Sequence, residues 1–532
     1  MKGADSNTLP TVEELQQQLL EQQALVAKLT AENGVLETKS AGLEAKTVKL
    51  EAQQRSLFEQ LRLLIEQRFG PSTEKYRVDQ ADLFFDEAET LVEAEETDES
   101  EPTAPAAKRR RRGGRAPLPP ELPRVEVIHD LEDVDKVCPH DGAPLVVIGE
   151  EVSEQLDIIP AKIQVIRHVR RKYGCGVCED GVHVAKLPAQ PLPKSNASPA
   201  LLAYIATAKY QDGLPLYRQE RVFERLQLGL PRNTLARWML GVGELLTPLN
   251  ALLRRHLLAG PLIHMDETTL QVNTEPGRKA SSTSYMWVQR GGPPGEQVVL
   301  FDYAPSRAGA VPLELLRGFA GALVTDGYEG YAQAVRTHAL VHAGCWAHAR
   351  RKFVEAQKLQ PKGKAGRADQ AISLIGKLYA VEKQARALSP EARHALRQEA
   401  SLPVIEKLQQ WLEKSVHQVP PKGAIGKALH YLHGQWGRLT VFLDDGRIPL
   451  DNNPAENAIR PFVIGRKNWL FSHTPRGANA SAAIYGLLET AKANGLEPYA
   501  YLVNVLTRLP AAQAEEEIAA LLPWHWGETI PA

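Results

Sequence analysis

Leucines recur in one seven-residue register through the first seventy positions: Leu15, Leu29, Leu36, Leu43, Leu50, Leu57 and Leu64, with Gln22 filling the only gap. That period is the seam of a coiled coil, and polar residues flank the stripe on all sides. The companion positions are mixed (Leu19, Val26, Asn33, Ser40, Thr47, Gln54, Leu61). A buried Asn such as Asn33 favours two parallel strands in fixed register. The pattern predicts one long helix over 11–68 and a parallel homodimer; a single helix lying against the body of the protein is the alternative.

Further along, the period changes twice. Residues 125–192 show short alternating stretches, "VEVIHDL" and "EQLDIIPAKIQVIRHVRRKYGC", which predict a small β module. Residues 195–258 turn helical: Ser198 with Pro199 opens one helix, "LPLYRQERVFERLQ" forms a second, and a third places Leu235, Trp238, Met239, Val242, Leu245 and Leu246 on one face. The glycine-containing turn before the third helix suits a helix-turn-helix reader, with Arg232, Asn233, Thr234 and Arg237 at its exposed start. A plain helical packing module, with Asn233 or Thr234 as a cap, is the alternative.

After Gly260 come three strands, a helix, a strand ending in Asp326, a helix and another strand. That order predicts a ribonuclease-H-like mixed sheet with helices on its faces, spanning 260–475 and interrupted by a helical insertion at about 354–442. A helical region follows over 476–532. The fold class is therefore multidomain α/β.

Composition narrows the setting. A chain of 532 residues, 43% apolar and 24% charged, exceeds one compact core. It has no apolar run long enough to cross a bilayer, and its first thirty residues lack a signal-peptide pattern, so a cytoplasmic, nucleoid-associated protein without membrane partners is expected. The net charge of -1 conceals segregation, because Val78 to Ala107 contains no Lys or Arg and "KRRRRGGR" then follows as a block. Residues 77–124 read as an acidic, basic and Pro-rich linker. In it, Arg109, Arg110, Arg111, Arg112 and Arg115 form an AT-hook-like block suited to a minor groove, or a solvated charge run that attracts phosphate.

The candidate chemistry lies in two clusters. Cys138, Cys175 and Cys178 have the spacing of a zinc ribbon, with His140 or Asp141 as the fourth ligand. Asp266 falls inside an apolar strand, and Asp326 falls at the end of a strand beside it. An unpaired carboxylate in such a place finds a cation, and hard oxygen ligands favour magnesium, or manganese, completed by a phosphate. Glu456, in "PLDNNPAENAIRPFVIGRKNWLF", is the candidate third acid. Read locally, the same stretch is a capped helix, with Asn453 as cap, Pro454 in the first turn and Glu456 at the capping-box position. Arg460, Arg466 and Lys467 follow on that helix as phosphate contacts or as a solvated basic face. Trp469 is a core residue or a stacking platform for a displaced base. Cys345 and His348 form a CxxH expected to support the site structurally.

Taken together, "HMDETTL", "VTDGYEGY", "GCWAHARRKF", "DNNPAENAIRPFVIGRKNWLF" and "LLETAKANGLEPYAYLVNVLTRLP" resemble the insertion sequence 66 family of DDE transposases, over nearly the whole chain. The resemblance implies that Asp266, Asp326 and Glu456 form the acid triad of a ribonuclease-H-like core. It implies two magnesium ions, about 4 Å apart, for cleavage at transposon ends and strand transfer into target DNA. Double-stranded DNA, a homodimer or higher oligomer, and accessory proteins of the element are the implied partners. One departure is "CPHD", where many relatives carry a second cysteine. A DNA-binding regulator that has lost catalysis and a hydrolytic nuclease remain as alternatives.

Overall fold

The computed structural model describes residues 12–69, 124–126, 143, 153, 155, 162–174, 182–359 and 366–527. Contacts sort the chain into two units, one formed by residues 100–187 and the other by the remainder. In the smaller unit, β1 (Lys172–Gly174) pairs antiparallel with β2 (Val182–Val184), placing Tyr173 opposite His183. Arg170 Nε also donates to the Ala185 carbonyl (2.6 Å). Residues 162–171 are not in strand, and Val165 and Val169 are exposed, so the alternation there finds no facing strand among the described residues. Cys138, His140, Asp141, Cys175, Cys178 and the basic block from Arg109 to Arg115 lie outside the described residues.

The larger unit begins with α1 (Val12–Phe69), a single continuous helix as the heptads predict. Leu29, Leu36, Leu43 and Leu50 on its seam are 51–65% exposed. None of the described residues covers these four. No helix among the described residues is long and apolar enough to cross a membrane.

Four further helices precede the sheet among the described residues: α2 (Pro199–Tyr210), α3 (Leu216–Arg225), α4 (Arg232–Leu245) and α5 (Thr247–Ala259). Ser198 caps the first, accepting the Leu201 N–H (3.2 Å). In α4, Leu235, Trp238, Met239 and Val242 are buried, as their 3.6-residue spacing predicts.

The sheet has the order β5-β4-β3-β6-β7. The strands β3 (Leu262–Gln271), β4 (Thr283–Gly291) and β5 (Val298–Ala304) are antiparallel neighbours. Beyond a short α6 (Ala310–Leu315), β6 (Ala322–Val324) runs parallel to β3; after α7 (Ala332–His338), β7 (Val341–Ala343) runs parallel to β6. Because side chains alternate across a strand, Ile263, Met265 and Leu323 join one apolar core, while Leu262, Ala322 and Val324 face the other.

Two sets of helices cover those faces. On the Met265 side lie α13 (Asn453–Trp469), α14 (Pro475–Ala493) and α15 (Pro498–Arg508). Thr490 of α14 donates to Val299 O and accepts from Val299 N, both at 2.9 Å, tying the helix to β5. On the Val324 side lie α8 (Trp346–Lys358) and, from the insertion, α9 (Arg367–Ala385), α11 (Leu402–Val416) and α12 (Ala424–Leu439), while α10 (Pro390–Leu396) buries no residue. A π-helical turn, Arg397–Ser401, joins α10 to α11. The last α-helix among the described residues is a short α16 (Glu515–Ala519).

Helices α4 and α14 approach closely at Gly243, where an added Cβ would lie 2.6 Å from Ala480 Cα. Gly243→Val should therefore destabilise the protein by about 1–3 kcal/mol through overpacking. Gly434→Ala, in open space on α12, should stabilise it by about 0.5–1 kcal/mol. Denaturant titration of both variants checks the pair.

Candidate active site

The parallel pairing of β3 with β6 brings the first two acids together. His264 is in register with Val324, and Asp266 and Asp326 each lie two residues further on. Strand β6 stops at Val324, so Asp326 sits in the turn beyond it rather than at the strand end. There Asp326 Oδ1 accepts the Tyr328 N–H (2.9 Å) over Gly327, whose φ of +93° only glycine adopts readily. From the insertion, Tyr431 OH donates to the Asp326 carbonyl (2.8 Å). Asp266 Oδ1 accepts the Glu267 N–H (2.9 Å). Burial, with Glu267, Asp326 and Glu456 close by, pushes the Asp266 carboxyl well above the usual carboxylate range.

The third acid arrives on α13, and Asn452 sets its approach. Asn452 is fully buried; Nδ2 donates to Met265 O (2.8 Å), Oδ1 meets His264 Nδ1 (3.0 Å), and its N–H donates to Cys345 Sγ (3.3 Å). One side chain thus joins β3, the start of α8 and the start of α13. Asp451 supplies the turn, accepting the Asn453 N–H (3.1 Å) and Nδ2 (3.0 Å) and the Tyr379 hydroxyl (3.1 Å). The capping reading of Asn453 is corrected here: the cap position falls on Asn452, which spends its side chain on β3 instead of on the helix. Nor does Glu456 reach back to form a capping box.

Instead, the Glu456 carboxylate faces α8. Oε1 lies 3.4 Å from His348 Nδ1 and 4.0 Å from Cys345 Sγ, and Oε2 lies 3.6 Å from Arg351 Nη2. Cys345 and His348 are therefore at the site, the former at the N-cap of α8. Burial, then Asp451 and Glu456, push the Cys345 thiol up, and burial pushes the His348 imidazole down.

Sequence reasoning missed Glu267, Arg307, Tyr328 and Tyr331. Glu267, beside Asp266, accepts from Arg307 Nε and from Tyr331 OH, both at 2.5 Å. The Arg307 guanidinium lies 3.6 Å from the centre of the Tyr328 ring, whose hydroxyl donates back to Arg307 O (2.7 Å). This circuit links the flanks of Asp266 and Asp326. Its signal was present in "MDET" and "DGYEGY", but an acid next to a candidate acid reads as solvated until its cation is seen.

The basic candidates divide. Arg466 is half-buried and pins α13 to β3, donating to Thr268 Oγ1 (3.1 Å), Thr269 Oγ1 (3.0 Å) and the Thr269 carbonyl. Lys467 is exposed and Arg460 is part-buried. Arg232, Asn233 and Arg237 are all exposed at the start of α4. That helix end is capped from α3, where Glu220 Oε1 accepts the Arg232 N–H (2.8 Å), while Thr234 accepts from Arg237 (3.2 Å). Trp469 packs edge-on against Phe462 at 5.4 Å, as a core residue does. Asn452→Ala should lower stability by about 1–3 kcal/mol, since it strands the Met265 carbonyl and His264. Lys467→Ala should change it by less than about 0.5 kcal/mol in the same thermal unfolding series.

Four family models match the chain: Transposase IS66 family over residues 194–480, IS66 C-terminal element over 486–524, zinc-finger binding domain of transposase IS66 over 135–179, and Transposase C of IS166 homeodomain over 56–127. Three relatives from Sinorhizobium fredii (strain NBRC 101917 / NGR234) are similar over most of their lengths. Uncharacterized protein y4jD is 34% identical over 77% of this chain and 81% of its own. Uncharacterized protein y4qI is 35% identical over 76% and 77%, and uncharacterized protein y4hP 31% identical over 72% and 72%. With the largest model spanning more than half of the sequence, two others falling where the zinc module and the last helices were read, and the fourth covering the end of the zipper and the linker after it, the chain belongs to the IS66 family of transposases.

Proposed function

We propose that this protein is a metal-dependent transposase that cuts DNA at transposon ends and transfers the freed strand into a target, with Asp266, Asp326 and Glu456 as its acid triad on a ribonuclease-H-like core. The observation that carries the reading is that three acids from separate elements converge so that Asp266 feels the charge of the other two. The strand order, three antiparallel strands followed by two parallel ones with helices on both faces, supports the same core. A third support is that Asp266 and Asp326 are each fixed by a backbone N–H at 2.9 Å.

The donor set fits a hard divalent ion, because oxygen ligands that repel one another are relieved by magnesium or manganese. Asp266, Asp326 and Glu456 would hold it, and the chemistry supplied on binding is activation of water and charge neutralisation at the leaving oxygen of a phosphodiester. The protein's own residues bind and align. Arg460 and Lys467, further along α13, lie on the helix that carries Glu456 and would contact the DNA backbone. Arg466 acts at one remove, by fixing that helix to β3.

The remaining modules read as DNA capture. Arg232, Asn233 and Arg237 present an exposed helix start to a groove, and Arg109, Arg110, Arg111, Arg112 and Arg115 attract phosphate. Cys138, Cys175 and Cys178, with Asp141 or His140, would hold a structural zinc ion. The exposed seam of α1 would pair two chains in parallel, with accessory proteins of the element joining the assembly on bacterial DNA in the cytoplasm.

Two measurements test this account. Purified protein incubated with labelled transposon ends should cleave and join them only when magnesium is added. Asp266→Asn should slow both steps by about a hundredfold or more while end binding persists. Cleavage without joining would make the protein a nuclease, binding without cleavage a regulator, and loss of binding in Asp266→Asn would make the acid structural. In sedimentation experiments, Leu36→Lys with Leu43→Lys should convert dimers to monomers.

A further inference from the structure

Cys345, His348 and Arg351 ride one side of α8 at steps of three residues, and all turn toward the carboxylate of Glu456. Arg351 takes one oxygen, Oε2. The other, Oε1, faces a thiol and an imidazole. His348 Nδ1 is buried and makes no hydrogen bond, although Oε1 is 3.4 Å away. A buried imidazole nitrogen beside a carboxylate oxygen, with no hydrogen bond made, is a polar atom whose partner is missing.

The ligand atoms Sγ, Nδ1 and Oε1 all lie within 4.8 Å of one another. Zinc bound tetrahedrally to sulfur, nitrogen and oxygen at its usual bond lengths separates such atoms by about 3.3–3.6 Å. The edges from Oε1, 3.4 Å to Nδ1 and 4.0 Å to Sγ, lie within about half an ångström of that geometry. The Asn452 N–H, 3.3 Å from Sγ, is placed to stabilise a thiolate. A water would complete the four-coordinate shell, as in zinc sites with three protein ligands.

We propose that Cys345, His348 and Glu456 bind one thiophilic divalent cation, typified by Zn2+, and that its binding withdraws Glu456 from Asp266 and Asp326. The cation displaces the thiol proton to solvent and joins Sγ, Nδ1 and Oε1. One carboxylate is then shared between two sites of opposite preference. The aspartates offer only hard oxygen, which suits magnesium, whereas sulfur and nitrogen favour zinc over magnesium at equal concentration. Zinc at this position acts as a brake on strand cleavage. The braking half of the proposal rests on Glu456 belonging to the acid triad; the binding half does not.

The test uses the full chain. Protein stripped with chelator is reloaded with zinc, freed of excess, and its bound zinc counted by elemental analysis. Wild type should retain one equivalent more than Cys345→Ser or His348→Gln, since both variants keep the residues of the zinc-finger region. Cobalt substitution should show a thiolate-to-cobalt band that weakens in Cys345→Ser. Thermal unfolding of each variant establishes that it is folded, and two variants guard against one failing to fold. Equal zinc counts in all three proteins would overturn the site.

In cleavage assays at fixed magnesium, each protein is normalised to its own zinc-free rate. The zinc concentration that halves cleavage should rise at least about tenfold in Cys345→Ser. An unchanged zinc response with a lost equivalent would overturn the brake. Absence of cleavage by every protein would overturn the triad assignment, and the zinc count would still decide the binding site.

Discussion

Three carboxylates held close together repel one another, and the larger unit of this protein is organised around keeping that repulsion in place. Asp266 sits on a strand between β4 and β6, where its charge is poorly solvated and the charges that act on it most, those of Glu267, Asp326 and Glu456, are negative. The fold supplies the stability that such an arrangement needs elsewhere, in two apolar cores on opposite faces of the sheet. Glu267, next in sequence, shows the contrast: it has Arg307 and two tyrosines around its circuit, so its charge is spent structurally. Burial raises both acids, and they differ in their partners: a guanidinium and a hydroxyl reach Glu267, whereas a backbone N–H reaches Asp266.

The insertion is part of this constraint. Arg397, buried at the π-helical turn, bonds Glu382 twice at 2.7 Å and the carbonyls of Phe442 (2.6 Å), Asp445 (3.1 Å) and Ile448 (2.9 Å). A buried ion pair so fully hydrogen-bonded fixes geometry more than it adds stability. What it fixes is the segment entering α13. Trp346 reinforces the join, its ring N–H donating to Leu439 O (2.7 Å) and its backbone N–H to Leu450 O (3.1 Å). With Tyr431 on the Asp326 carbonyl, the insertion touches the supports of two of the three acids.

Much of this was legible in the residue pattern, and the exceptions have physical causes. Alternation located β3, β4 and β5, and their pairing followed from topology, so Asp266 and Asp326 could be placed side by side before any coordinates. Strand β6 ended earlier than expected because Asp326 uses its side chain to close a turn over Gly327, a choice no apolar pattern encodes. The start of α13 was misread by one residue because local capping rules weigh only the helix's own donors, whereas Asn452 found better partners on β3. Arg466 read as a free cation since its threonine partners lie almost two hundred residues upstream. Alternation at 162–171 is not realised as strand, since a period of two marks a strand only when another strand faces it and none does so among the described residues.

The placement of Glu456 follows from how α13 is held. At its start, Asn452 binds Met265 of β3; at its end, Arg466 binds Thr268 and Thr269 of the same strand, and Ser472 N donates to Gln271 O at 3.0 Å. A helix fastened at both ends to one strand cannot slide along it. Pro461, inside the helix, removes one backbone donor and loosens the ladder between the two anchors, leaving the anchors to fix the path. The first turn, where Glu456 lies, is thereby referred to β3 as firmly as Asp266 is. The remaining freedom lies in the carboxylate itself, which meets His348, Cys345 and Arg351 and also acts on the charge of Asp266, and its rotation is the degree of freedom that a bound cation of either kind would settle.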